Sequence, residues 1–102
     1  MSKLSLTAEV SSELEVMQRT IKIWKKIKDH QPIGINRLSA ELDIEEHKVR
    51  YSLRLLQRVN IIEPTSGGAV LTEEHQENEK KLIRDIEKLK NTIENIITDL
   101  SE

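Results

Sequence analysis

The chain has 102 residues, of which 36% are hydrophobic and 33% are charged, and its formal net charge is -2. A chain of this length can bury only a modest core, so we expect one small domain with an added segment and stabilisation by a partner chain. The lack of cysteine excludes disulfides and thiolate metal sites, and no apolar run is long enough for a membrane span or a signal peptide. These features predict a soluble, cytoplasmic protein.

The first helix is predicted by a capping pattern, because Ser12 is followed three residues later by Glu15. We expect this helix to run from Ser12 to about Asp29, with residues 1–11 as a partly helical N-terminal extension and Thr7 as an alternative cap. Two apolar stripes follow its length, one suited to the core of the domain and one to a partner helix. The longer stripe consists of Val10, Leu14, Met17, Ile21 and Trp24, and the shorter one of Ile23 and Ile27.

Residues 32–72 have the spacing of two short helices joined by a tight turn and followed by a hairpin. Gly34 stands where a helix cap is wanted, Asp43 ends the first helix, and Asn60 suits a left-handed stop after a second helix over 45–59. The apolar positions are Leu38, Leu42 and Ile44 in the first helix and turn, and Val49, Leu53 and Leu56 at i, i+4 and i+7 in the second.

A short β-hairpin is predicted after the second helix. Ile61 and Ile62 begin one strand, and residues 69–71 form the other. Pro64 stands at a position that need not donate a ladder hydrogen bond, and the sequence at 66–68, Ser-Gly-Gly, allows a tight reversal. A hairpin in this place is a wing.

The face of the second helix opposite its apolar residues is polar and basic, as a surface that enters a DNA major groove must be. The candidate DNA-binding residues are His47, Lys48, Arg50, Tyr51, Arg54 and Arg58 on that helix, together with Arg37. The first helix adds a cluster of five basic residues, Arg19, Lys22, Lys25, Lys26 and Lys28. The last three of these are candidate phosphate contacts. The alternative interpretation of both groups is an ordinary solvated helix face.

Residues 12–72 resemble the winged helix-turn-helix transcriptional regulators. The resemblance lies in the order of elements, which is helix, helix, turn, a helix with the pattern Val-x-x-x-Leu-x-x-Leu, then Ile-Ile and a glycine turn. The chain is similar to the small archaeal members that carry a C-terminal dimerising helix, which implies a dimeric DNA-binding protein. Two features differ from the family pattern. Glu45 and Glu46 occupy the start of the recognition helix, which we define as residues 45–59, and the wing from Ile61 to Thr72 has no lysine or arginine.

Residues 73–102 are predicted to form a C-terminal dimerisation helix, because their apolar positions follow a heptad with spacings of 4, 3, 4, 3 and 4. The seam consists of Leu82, Ile86, Leu89, Ile93, Ile96 and Leu100. Ile83 and Ile97 lie beside the seam and widen it, which suggests contact with the first helix of the same or a partner chain. A two-stranded coiled coil in a homodimer is the favoured interpretation, and a helix folded back on its own domain is the alternative.

Net charge divides unevenly along the chain. Residues 1–72 hold 11 basic and 9 acidic side chains, whereas residues 73–102 hold 5 basic and 9 acidic ones. A DNA-binding protein needs a local basic face rather than a basic total, so the acidic tail does not argue against nucleic acid.

No catalytic constellation is recognisable, and neither a metal site nor a cofactor is predicted. His75 and Glu79 share a helix face but provide only two ligands, which favours a solvated pair over a metal site.

The sequence therefore predicts a mainly α fold, a winged helix-turn-helix of three helices and a short β-hairpin with a long C-terminal coiled-coil helix. The predicted function is a non-enzymatic transcriptional regulator that binds double-stranded DNA as a homodimer, with residues 45–59 in the major groove. The alternative is a winged-helix adaptor that binds other proteins in a transcription or replication assembly. The sequence does not indicate the operator or any small-molecule effector.

Overall fold

The first helix begins one turn earlier than the capping pattern indicates. The computed structural model describes residues 5–102, and in it α1 runs over Ala8–His30 with Thr7 at the N-cap position. The expected start at Ser12 is therefore wrong and the alternative cap at Thr7 is confirmed, since residues 8–11 contain no glycine or proline that would stop the helix. A domain boundary at Ser12 falls inside α1, and residues 1–4 of the expected extension lie outside the described residues.

Two short helices follow α1, as the sequence predicts: α2 spans Ile35–Leu42 and α3 spans Glu46–Arg58. Asp43 ends α2 in the left-handed conformation, with φ of 53°, and Asn60 has φ of 60° just after α3. Ser39 fixes the intervening turn, because its hydroxyl donates to the Ile44 carbonyl at 2.6 Å while its own carbonyl accepts from the Ile44 amide at 3.2 Å.

The wing consists of two antiparallel strands, β1 over Ile62–Thr65 and β2 over Gly68–Leu71. Gly68 pairs with Thr65 and so belongs to β2 rather than to the turn, and β1 begins at Ile62 rather than at Ile61. Pro64 lies opposite Ala69, whose carbonyl accepts from the Ile33 amide at 3.2 Å and whose amide donates to the Ile33 carbonyl at 2.8 Å, so both groups of Ala69 point away from β1. The missing N–H of Pro64 therefore leaves no gap in the ladder.

The hydrophobic core lies where α1, α2, α3 and the wing meet. Apolar side chains from all of these elements and from the loops between them are buried there: Ile23, Trp24, Ile27, Ile33, Leu38, Val49, Leu56, Ile61, Ile62 and Ala69. The apolar periodicities of the two short helices are confirmed at Leu38, Val49 and Leu56, while Leu42, Ile44 and Leu53 pack partly buried against this core.

The last helix, α4, spans His75–Ser101 and is joined to the body only near its beginning. Asn78 donates from its side chain to the Asn60 carbonyl at 3.0 Å, and Leu82 packs on the core. Residues 75–101 include no fully buried side chain. The arrangement is a winged helix-turn-helix with a long C-terminal helix, and no helix within residues 5–102 is long and apolar enough to cross a membrane.

Candidate nucleic-acid interface

The rotation of α3 about its own axis decides which side chains face outward. Val49 and Leu56 point into the core, and Ser52, on the same side, is fully buried. The Ser52 hydroxyl lies 2.7 Å from the Thr20 hydroxyl of α1, which in turn donates to the Val16 carbonyl at 2.8 Å. Because the Thr20 proton is used in that bond, Ser52 is the donor to Thr20. The opposite face of α3 is consequently turned outward, and it exposes His47, Arg50, Tyr51, Arg54 and Arg58.

Arg50 and Arg54 are brought together in a groove between α3 and the wing. The groove has a volume of about 470 Å³, and Gln57 continues the arginine row on the helix side. Its other wall is formed by residues 64–69 of the wing and by residues 33–35 before and at the start of α2. The wing wall is uncharged, so the positive charge of the groove comes from α3 alone.

The arginines of this face are available for an external partner. Arg50, Arg54 and Arg58 are exposed, and none of them takes part in an ion pair with another of the residues 5–102. Arg58 lies one turn beyond the groove and lines a separate cleft with Asn60 and with Lys81 of α4. The groove itself therefore presents two guanidinium groups, and a third flanks it.

The start of α3 differs from the arginine face because it carries a carboxylate that pairs with its basic side chains. Glu45 at the N-cap position lies 3.3 Å from the Lys48 ammonium and 3.8 Å from Nδ1 of His47. A carboxylate at a helix N-terminus is stabilised by the helix dipole. Lys48 must exchange this partner for a phosphate if it is to contact DNA.

Arg37 and Lys26 share one carboxylate, that of Glu41 in α2. The Lys26 ammonium lies 2.8 Å from one Glu41 oxygen, and the Arg37 guanidinium binds the other. Hydrogen bonds from Lys26 and then from Arg37 lower the pKa of Glu41 to about 2. This group of three connects α1 to α2, so both basic residues have an internal role in addition to the predicted one.

Lys25 and Lys28 lie on a different side of α1. They border a cleft of about 290 Å³ between α1 and α4, whose remaining lining is mainly apolar. Lys28 pairs with Glu79 at 3.2 Å, and its ammonium lies 5.6 Å from the centroid of the Trp24 ring. The three candidate phosphate contacts thus do not line the groove that holds Arg50 and Arg54.

The predicted seam of α4 divides into two parts. Leu82 and Ile86 are half-buried beside α1, whereas the remaining members are exposed to between 43% and 83%: Leu89, Ile93, Ile96 and Leu100. Ile83 and Ile97, beside the seam, are 50% and 59% exposed. Exposed apolar stripes of this length are typical of interaction sites.

Two features of the site were not singled out from sequence. Gln57 follows Arg50 and Arg54 at i+7 and i+3, so helical spacing alone would have placed it in the groove. The buried Thr20–Ser52 pair has no local signal, because the two residues belong to different helices. His75 and Glu79 do not act together, since the ring of His75 donates to the Thr72 carbonyl at 2.6 Å while Glu79 binds Lys28.

Comparison with known proteins agrees with the geometry. Residues 16–90, from α1 to the middle of α4, match the family described as CggR N-terminal DNA binding domain. The chain is similar to the central glycolytic genes regulator of Bacillus subtilis (strain 168), with 38% identity over 64 residues. That alignment covers 63% of this chain and 19% of the relative, so the chain spans only about a fifth of the relative's length. With its winged helix and a family match over more than half of its residues, the chain belongs to the family of CggR N-terminal DNA-binding domains.

Proposed function

We propose that the chain is a transcriptional regulator that binds double-stranded DNA by inserting α3 into the major groove. The observation that carries this proposal is the pair Arg50 and Arg54, exposed in one groove without an ion-pair partner among residues 5–102. Family membership supports DNA as the ligand, and the relative is named as a regulator of genes. The likeness to small archaeal regulators rests on the order of elements alone, since the relative from Bacillus subtilis is bacterial.

The residue types suggest a division of roles along α3. A guanidinium can donate two parallel hydrogen bonds to O6 and N7 of guanine, which suits Arg50 and Arg54 to reading bases. His47 and Tyr51 lie on the same face and can contact a base edge or a phosphate. Arg58 beyond the groove, Lys48 at the start of α3 and Arg37 on α2 are assigned by their positions to phosphates, which fix the position of the protein without selecting sequence. The wing has no lysine or arginine and carries Glu63, so it can contribute only hydroxyl and backbone donors.

We further propose that residues 12–72 form the DNA-binding unit and that residues 73–102 pair two copies into a homodimer. The support is the exposed heptad seam of α4, which leaves large apolar side chains in water in a single chain. A two-fold dimer would place its recognition helices about 34 Å apart, one turn of the duplex, and would favour inverted half-sites.

The proposal is tested by selecting a binding site from random duplexes and then measuring affinity at several salt concentrations. We expect Arg54→Ala to weaken binding by about 1–3 kcal/mol, with the loss concentrated at particular base positions, as removal of a bidentate base contact should. Arg84→Ala is the matched control, because it removes the same charge from an exposed position of α4 that lies off the seam.

Two results would contradict the assignment of α3 to the groove. One is a double variant, Arg50→Ala with Arg54→Ala, that binds its selected site as tightly as the parent. The other is a parent protein that selects no sequence and shows no salt-dependent binding to any duplex. Either result would favour the alternative, a protein-binding adaptor, for which Glu45 and Glu46 at the start of α3 would then form part of the contact surface.

A further inference from the structure

The outer end of α4 is apolar over a wider angle than a two-stranded coiled coil can bury. Ile93, Ile96 and Leu100 occupy the two seam positions, and Ile97 adds a third position beside them. In a bare pair of helices, a residue beside the seam stays half in water. The width of this surface therefore calls for two helices, rather than one, on the other side.

The cleft between α1 and the beginning of α4 has the matching form. Its apolar walls are Ile21 and Trp24 on α1 and Leu82, Ile83 and Ile86 on α4. Ile83 repeats the position of Ile97 two heptads earlier and is 50% exposed. The cleft thus offers two helices to a third that lies along it.

We propose that a second copy of this chain places the end of its α4 in this cleft, so that the two α4 helices run antiparallel. The inference rests on the proposed homodimer and assigns its arrangement. In this register Leu82 meets the partner's Leu100, Ile83 meets the partner's Ile97, and Ile86 meets the partner's Ile96. Each wide apolar end is then covered by α4 and α1 of the other copy.

Charge favours the same arrangement. Residues 94–102 carry three acidic side chains, Glu94, Asp99 and Glu102, and no basic one. Lys25, Lys28 and Glu79 border the receiving cleft, and Glu79 pairs with Lys28, so Lys25 is the border charge that has no ion-pair partner among residues 5–102. An antiparallel pair brings the acidic ends towards Lys25, whereas a parallel pair would lay two acidic ends side by side. Antiparallel pairing also sets Lys90 against the partner's Lys90 and Asp85 against the partner's Asp99. The repulsion between such exposed like charges is small compared with the stabilisation from burying large apolar groups.

Lys25 and Lys28 would then have a role other than the phosphate contacts that their charge suggests. They would lie at the dimer interface, next to acidic groups of the second copy, and not on phosphates. The winged-helix bodies would stand at opposite ends of a central pair of α4 helices, each with its Arg50 and Arg54 groove outside the interface.

The chain has no cysteine, so single cysteines report the orientation directly. We would mix the Ile83→Cys and Ile97→Cys proteins, allow subunits to exchange, and treat the mixture with a short bifunctional maleimide. An antiparallel dimer gives a covalent dimer in the mixture but little in either protein alone. The Leu100→Cys protein is the control, because its two thiols would be separated by 18 residues of helix rise, about 27 Å, in the proposed register but would meet in a parallel coil.

Sedimentation of the unmodified chain separates failure of this inference from failure of the proposed dimer. A dimer that cross-links through Leu100→Cys alone, or through none of these cysteines, overturns the antiparallel register and leaves the homodimer standing. A monomer at micromolar concentration overturns both. A dimer that cross-links only in the Ile83→Cys and Ile97→Cys mixture supports the assignment.

Discussion

The body and the outer half of α4 have equally regular apolar patterns but very different surroundings. In the body, Leu38 and Val49 are completely buried, because three helices and the wing converge on them. In α4, Leu89 and Ile96 repeat just as regularly and remain about half exposed, at 49% and 52%. A periodic stripe thus indicates that a face will be covered, but it does not identify the covering group. For the body that group is in the same chain, and for α4 we assign it to a second copy.

The largest expected effect comes from charging the centre of the α4 seam. Replacing Leu89 and Ile93 together by Glu would bury like charges in the dimer, at a cost of at least about 3–5 kcal/mol, and should give a monomer with weak DNA binding. Sedimentation and a mobility shift measure both consequences. Asn91→Glu with Asn95→Glu adds the same charge off the seam and should leave the dimer intact. A double-Glu protein that sediments like its parent would refute the seam.

A pair of alanine substitutions in that monomeric double-Glu background compares body and arm directly. Leu38→Ala removes a fully buried side chain and should lower the free energy of unfolding by about 2–5 kcal/mol. Ile96→Ala removes a half-exposed one and should change it by less than about 0.5 kcal/mol. Chemical denaturation gives both values. An equal loss at the two positions would show that α4 folds back on its own body.

Gly68 tests how firmly the wing is held to the body. An added Cβ would lie 2.4 Å from the carbonyl carbon of Ile33, and the residue has φ of +123°, which side chains disfavour. Gly68→Ala should therefore destabilise the domain by about 1–3 kcal/mol. Gly67→Ala is the control, because its Cβ would come no nearer than 3.4 Å to Pro32. A Gly68→Ala protein as stable as the Gly67→Ala protein would contradict this close approach.

The smallest effect is expected at Glu41, which is exposed and open to screening by salt. The pKa of Glu41 is lowered from 4.5 to about 2 in the folded chain. Its full contribution to stability is therefore present when the pH is above 4.5, the ordinary pKa. That contribution declines as the pH falls from about 4.5 through about 2. Thermal unfolding of the parent and of Glu41→Gln should thus differ at neutral pH and converge near pH 2. A difference that persists unchanged at pH 2 would exclude the ion pairs with Lys26 and Arg37 as its source.

Sequence patterns predicted most of the fold because its signals are local. Asp43 and Asn60 end helices as expected, and the spacing of Val49, Leu53 and Leu56 sets the inner face of α3. The start of α1 was misplaced because a Ser-x-x-Glu pattern is equally compatible with the middle of a helix. The arginine face of α3 followed from the same spacing, but the internal partners of Lys26 and Lys28 did not. They depend on how α1 meets α2 and α4, which no local pattern encodes.

The hydrogen bond between Thr20 and Ser52 fixes more than the distance between two helices. Both hydroxyls are buried, and a rotation of α3 that separated them would leave the Ser52 hydroxyl without its partner, at a cost of about 1–3 kcal/mol, while Thr20 would keep its bond to the Val16 carbonyl. The apolar face of α3 sets the coarse rotation, because a turn by a whole residue would bring Arg50 and Arg54 towards the core in place of Val49 and Leu53. The hydrogen bond narrows the rotation further, because it is directional. The angular setting of the guanidinium row, and with it the choice of base edges that the row could reach, is therefore fixed in part from inside the protein by two neutral residues that lie outside the exposed face of α3.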